Sequence, residues 1–262
     1  VGLATLLLAA CSDEQATTNE TPEATTLKVA SLIPPMTEIL ELVEPTLEAE
    51  GINLEIVVLG DNVQPNAALA ANEVDANFFQ HKPYMEEYNR NNDANLVPIE
   101  EIYFANYGVY AKNVDTIDAL PDGATVAIAN DVSNIDRSLA LLAQHNVITL
   151  GDKKDVYYTE ADITANPKNL QFEAVDLLML ARMYDDADAV VMTPAYAAPL
   201  GLTPAEDAIV LEGEGNEFGI QLVTREGNKD DEAIQKLLEA MTSEEVRTFL
   251  QENYPDATTP AF

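Results

Sequence analysis

Three observations predict a two-lobed α/β protein. Short apolar strands alternate with stretches of helical periodicity from Leu27 onward. The alternation restarts near Tyr107 as a second unit, and a late apolar strand, Gly219 to Thr224, can carry the chain back to the first. Such βαβ alternation builds largely parallel sheets covered by helices, with ligands at the carboxyl ends of the strands.

Each element has a local reason. Leu27 to Leu32 is a short apolar strand, and Pro35 stands where a first helical turn begins, followed by Ile39, Leu40, Val43 and Leu47 at helical spacing. Asn53 to Leu59 reads as a strand, Pro65 to Ala71 as a helix, Val74 to Phe79 as a strand and Lys82 to Asn91 as a helix with Pro83 in its first turn. Tyr107 to Ala111 is a strand suited to crossing between lobes, and Thr116 to Gly123 is a short helix closed by a Pro and Gly turn. Thr125 to Ala129 is a strand that feeds Asn130 to Asn134, Arg137 to His145 is a helix, and Ala189 to Met192 is a buried strand. The last helices, Asp231 to Met241 and Ser243 to Glu252, are expected on the first lobe or the hinge.

Composition narrows the function classes. Of 262 residues, 46 are acidic and 13 basic, a net charge of −33. That balance argues against nucleic acid, whose binding rests on Lys and Arg neutralising phosphates. The acids are scattered over helical faces, as on a solvated acidic surface, so each basic residue beside a polar motif is the more telling.

The amino end has its own pattern. Leu3 to Ala10 is an apolar, small-residue run closing in Leu8-Ala9-Ala10-Cys11, after which the composition turns to Ser, Asp, Glu, Gln and Thr. This resembles a bacterial lipobox: residues 1–11 are expected to be the end of a signal peptide whose charged start lies upstream, with Cys11 carrying lipid. Residues 12–26 lack hydrophobic periodicity and read as a flexible linker. One cysteine leaves no disulfide framework and no cysteine metal site, and no run of 18 apolar residues is present, so lipid is the expected membrane attachment.

Two motifs carry the chemistry. Asp75-Ala-Asn-Phe-Phe-Gln-His-Lys-Pro-Tyr84 gathers aromatics, amides and one of two histidines into ten residues, the mix that lines a small-molecule cleft; the competing reading is a helix start with Tyr84 in the core. In Asn130-Asp-Val-Ser-Asn-Ile-Asp-Arg137, Asp131 or Ser133 can cap the helix that carries Arg137, so backbone N–H groups and a guanidinium converge where a carboxylate could be held. Tyr103 and Phe104 can add to an aromatic wall or belong to a core strand; His145 reads as a surface residue.

These motifs, with Asp61 to Leu69, Asn166 to Leu170 and Gly201 to Ala205 in the same order, resemble the NlpA type of methionine-binding lipoprotein, the extracytoplasmic receptor of an ABC importer. The resemblance implies a periplasmic-binding-protein fold of the second type, with residues 27–108 plus 225–262 as lobe 1, 109–224 as lobe 2 and the ligand in the cleft between them. It implies a methionine-like ligand, no cofactor and no metal. It also implies a monomer lipid-anchored in the cell envelope, facing the periplasm or the exterior, with an ABC permease and its ATPase as partners. By the same resemblance Phe78, Phe79, Tyr84 and Tyr103 wall the side-chain pocket, and His81 hydrogen-bonds within it. Arg137 grips the α-carboxylate, with Asn130 and Asn134 beside it. Thr193 stands where relatives have a ligand-binding asparagine, and Asn62 and Asn106 where they have tyrosine and proline. These departures keep open a small polar amino acid or dipeptide as the ligand. A hydrolase or metalloprotein built on His81 is the weaker reading, for want of ligand spacing, a nucleophile elbow or a phosphate loop.

Overall fold

The computed structural model describes Gly2 and residues 23–262; the expected lipidation site at Cys11 and most of the linker lie outside the described residues. The linker expected to reach Thr26 stops short of it, because β1 (Thr25–Ser31) already pairs at Thr25. There follow α1 (Met36–Glu48), β2 (Ile52–Val58), α2 (Gln64–Ala70), β3 (Ala76–His81), α3 (Lys82–Asn92) and β4 (Leu96–Phe104). Residues Ala105–Tyr107 lead into a second set. It comprises β5 (Gly108–Tyr110), β6 (Thr125–Ala129), α4 (Val132–Gln144), β7 (Thr149–Leu150), β8 (Ile163–Ala165) and β9 (Gln171–Val175). It ends with α5 (Leu180–Asp186), β10 (Ala189–Met192), α6 (Pro194–Ala197), α7 (Pro204–Asp207) and β11 (Ala208–Leu211). Glu212–Gly219 then leads to β12 (Ile220–Arg225), α8 (Glu232–Met241), α9 (Glu244–Asn253) and β13 (Thr259–Pro260).

The strands form two main sheets, ordered β13-β4-β12-β3-β1-β2 and β11-β5-β10-β6-β9. In the first, β1 runs parallel to β2 and β3, while β12 is antiparallel to both β3 and β4. Because β12 fills the middle of the first sheet, the lobe boundary expected after Thr224 moves back to Glu212–Gly219. A strand that arrives late can occupy a central position only if the earlier strands leave a gap for it, and no local pattern reports that gap.

Helix periodicity accounts for the packing of the first lobe. Met36, Ile39, Leu40, Val43 and Leu47 form one buried face of α1, joined by Ile234 and Leu237 of α8 and Val246 and Leu250 of α9 on the same side of the sheet. Each such side chain stabilises by about 1.5–3 kcal/mol when fully withdrawn from water. The opposite face is closed by Leu69, Val74 and Met85. In the second lobe β10 is apolar throughout and β6 is apolar from Val126 to Ala129, as strands covered on both faces must be.

Candidate functional site

The carboxyl end of β3 and the amino end of α4 face one another between the two sheets, and the side chains expected from the two motifs meet there. His81 is the N-cap of α3, and its Nδ1 accepts the N–H of Tyr84 at 3.1 Å. The proton of a neutral ring must therefore sit on Nε2, which donates to Asn134 Oδ1 at 2.7 Å across the cleft. Burial, aided by the charge of Arg137, pushes His81 down to about 3, so the ring is neutral at physiological pH. Of the two caps left open by the sequence, Asp131 is the one used. Its Oδ2 accepts the N–H of Asn134 at 3.0 Å and the Ser133 hydroxyl at 2.6 Å, while its Oδ1 accepts Asn134 Nδ2 at 2.8 Å. That cap starts α4 at Val132, five residues before the expected start at Arg137, and places Asn134 and Arg137 on the same face one turn apart.

Arg137 is buried and held on every side but one. Its Nε and Nη2 donate to Glu212 Oε2 and Oε1 at 2.8 and 2.6 Å, and Nη2 also reaches the Ala105 carbonyl at 3.2 Å. The guanidinium carbon Cζ lies 3.8 Å from the ring centroid of Tyr107 and 4.2 Å from that of Phe218. Glu212 in turn accepts the N–H of Tyr107 and Nδ2 of Asn216, both at 3.2 Å. Both segments that join the lobes thus converge on this one side chain. Among the described residues no acceptor lies on Nη1, so two guanidinium protons of a residue that lines the cavity are unpaired, a fork whose geometry matches a carboxylate.

The cavity is small, with a volume of about 40 Å³. It is a narrow slot, lined by Phe79, Tyr84, Tyr103, Met36, Leu177 and Ile220 on its apolar stretch. Phe79 and Tyr84 meet edge to face at 5.8 Å. The Tyr84 hydroxyl is fixed by Asn62, donating to its carbonyl at 2.8 Å and accepting from its Nδ2 at 3.0 Å. Behind the wall, Asn66 ties Asn77 and Gln80 into a buried amide cluster, its Oδ1 accepting from both and its Nδ2 donating to Gln80. Thr193 lines the same slot, where the side chain makes no cap bond to α6.

Two expected ligand contacts are not part of it. Phe78 is fully buried in the core and packs edge-on against Tyr103 at 6.0 Å; successive strand residues point to opposite faces, so Phe78 and Phe79 cannot share one wall. Asn130 is exposed and donates to Asp176 at 2.8 Å, because the turn into α4 directs it away from the cleft. Missed from the sequence were Glu212 and Phe218 around Arg137, and Met36, Tyr107, Leu177, Tyr196 and Ile220 in the lining. A buried arginine needs an acid, and Glu212 directly follows the strand Ala208–Leu211, but one glutamate among so many acids gives no local signal.

A model of the NlpA lipoprotein family matches residues 27–262. The chain belongs to the NlpA lipoprotein family. Membership covers both lobes and the return of β12, so the two-lobed periplasmic-binding-protein fold of the second type is that of the whole described chain. Among relatives, it is similar to the methionine-binding lipoprotein MetQ of Bacillus subtilis, at 36% identity over 97% of this chain and 93% of that protein. It is also similar to the structure of a nutrient-binding protein from Burkholderia cenocepacia bound to methionine, with a TM-score of 0.86 at 34% identity, covering 90% of this chain and 100% of that one. A periplasmic substrate-binding protein of an ABC transporter from Coxiella burnetii has a TM-score of 0.84 at 31% identity, with coverage of 90% and 100%. Membership of a lipoprotein family places the chain in the cell envelope. Among the described residues no helix is long and apolar enough to cross a membrane.

Proposed function

We propose that this chain is the substrate-binding lipoprotein of an ABC importer and captures methionine or a close relative such as D-methionine or a methionyl dipeptide. One observation carries the reading: a slot between two lobes with a free guanidinium edge, Arg137 Nη1, at a polar end and a thioether-compatible wall of Phe79, Tyr84 and Tyr103 beyond it. Sulfur against aromatic edges contributes ~0.3–1.5 kcal/mol per contact. A small polar side chain would sit unpaired against Met36, Leu177 and Ile220, which disfavours the alternative ligand. The role involves binding and no bond-breaking.

Closure follows from the contacts that span the cleft. His81 of the first lobe bonds Asn134 of the second, and a ligand carboxylate on Arg137 would add contacts available only when the lobes meet. A ligand that binds the closed form better shifts the population toward it, which gives a permease and its ATPase a shape to recognise. Attachment through lipid on Cys11 and action as a monomer complete the proposal. Calorimetry with L-methionine, D-methionine, glycyl-methionine and polar amino acids tests it. Methionine compounds are expected to bind at least about tenfold more tightly than serine or glutamine, a difference of about 1.4 kcal/mol; equal or reversed preference would overturn the ligand assignment.

A further inference from the structure

The slot holds a cation and no anion: none of its lining residues is Asp or Glu, and the carboxylate of Glu212 is taken up by Arg137, Tyr107 and Asn216. An amino acid brings an ammonium as well as a carboxylate, and the ammonium has to find neutral acceptors. Most of those in the slot are committed. Gln80 Oε1 accepts from Asn66, Asn134 Oδ1 from His81, both His81 nitrogens are engaged, and the Tyr84 hydroxyl serves Asn62.

What remains is the Thr193 hydroxyl and a set of phenols. Tyr103, Tyr107 and Tyr196 are at most 6% exposed, all three line the slot, and none of their hydroxyls bonds to a described residue. Among the described residues Tyr110 has the only sealed side-chain polar atom without a partner. The hydroxyls of Tyr103, Tyr107 and Tyr196 are therefore unsealed, and the slot that all three side chains line is the space available to them. Tyr107 lies against Arg137, and a ligand's α-ammonium and α-carboxylate share one carbon, so a carboxylate on Nη1 brings the ammonium close to this ring. Burial raises Tyr196 well above the usual phenol range, and the neighbouring Tyr107 and Tyr103 raise it further, as expected if the hydroxyls gather at one place.

We propose that the hydroxyls of Tyr107 and Tyr196 accept the ligand's α-ammonium and make a free amine a requirement for binding. The inference rests on the proposed amino-acid ligand and names residues for which that reading gave no role. It is tested with two isosteric variants, Tyr107→Phe and Tyr196→Phe, each titrated with L-methionine and with its des-amino analogue, 4-(methylthio)butanoate. Thermal unfolding confirms that each variant is folded. The expected result is about a tenfold loss of L-methionine affinity in at least one variant, the size of one hydrogen bond to a charged group, with less than a twofold change for the analogue. Equal losses for both ligands would mean that the hydroxyls only shape the slot, and no loss for either would mean that they do not meet the ligand; each outcome overturns this assignment alone. Wild-type protein that binds neither L-methionine nor any other α-amino acid would instead overturn the functional reading, and the assignment with it.

Discussion

Two arginines in this molecule have the same set of neighbours at different depths. Arg137 is chelated by Glu212 and stacked on Tyr107; Arg90 is chelated by Glu87 and lies over Tyr157, 5.4 Å from the ring centroid. The side chains of the first pair are 3% and 8% exposed, those of the second 43% and 25%. Geometry differs in the same sense. Glu212 presents both oxygens to Nε and Nη2, whereas Glu87 offers only Oε2, at 3.3 and 2.8 Å. Glu87 lies one turn before Arg90 on α3, so the pair forms wherever the helix forms; Glu212 is 75 residues from Arg137, so that pair needs both lobes and the return segment. An exposed local pair contributes ~0–1 kcal/mol, while breaking a buried one leaves a charge without compensation and costs ~3–5 kcal/mol. The cleft's charge is thus set by the pair that only the complete fold can make.

The largest expected effect breaks the deep pair. Glu212→Gln keeps the shape of the side chain but leaves the guanidinium unbalanced, and should lower unfolding free energy by ~3–5 kcal/mol in urea titrations. Arg137→Ala is expected to do comparable harm from the other side, because it strands the Glu212 carboxylate; lost binding in that variant would not by itself identify a ligand contact. The double variant Arg137→Met with Glu212→Gln removes both charges. It should recover stability to within ~1–2 kcal/mol of wild type while binding no methionine. A double variant that is stable and still binds with wild-type affinity would remove Arg137 from the site.

How much of this could be read from the chain follows the same division. Elements that rest on neighbours in sequence were legible: the buried face of α1, the helix start at His81 to Tyr84, and the capped turn that presents Asn134 and Arg137. Of the residues expected to meet a ligand, Phe79, His81, Tyr84, Asn134 and Arg137 line one slot, as do Tyr103 and Thr193. Illegible were features that need a distant partner. Glu212 and Phe218 meet Arg137 only through the return segment, and β12 enters the first sheet from beyond the second lobe. Phe78 went astray for a different reason: the resemblance put both phenylalanines of the motif in the pocket wall, but strand alternation turns Phe78 inward.

The pH response sharpens the comparison at a smaller scale. His81 sits on the deep side, with its folded value lowered to about 3 from an ordinary 6.5. Between those two values the unfolded chain holds a proton that the folded chain lacks, so stability is fully present above pH 6.5 and is lost as pH falls toward 3. From pH 7 to 5.5 this residue alone should remove roughly 1 kcal/mol. His145 is exposed, so His81→Gln should flatten that part of the curve in urea unfolding at the two pH values. An unchanged slope would mean that His81 is not held neutral by its burial.

The smallest effect belongs to the exposed arginine, yet its position makes it informative. Tyr157 is carried by the second lobe on the segment that Asp136 of α4 anchors, accepting the N–H of Tyr158 at 2.8 Å and Nζ of Lys153 at 2.9 Å. From there the Tyr157 hydroxyl takes a bond from Arg90 and donates to the Pro83 carbonyl at 3.2 Å, both in the first lobe. The contact therefore spans the lobes as His81 and Asn134 do, but in water. Its worth as a stabilising contact should be below ~1 kcal/mol and should shrink further with salt. Because it touches no part of the slot, Arg90→Ala can change ligand retention only by loosening the closed form, at most about fivefold in dissociation rate for the same ~1 kcal/mol. Stopped-flow release of methionine at low and high salt checks this: the variant and wild type should differ at low salt and converge at high salt. A difference that persists at high salt would show that the outer arginine, like the inner one, is protected from solvent, and the contrast between the two would fail.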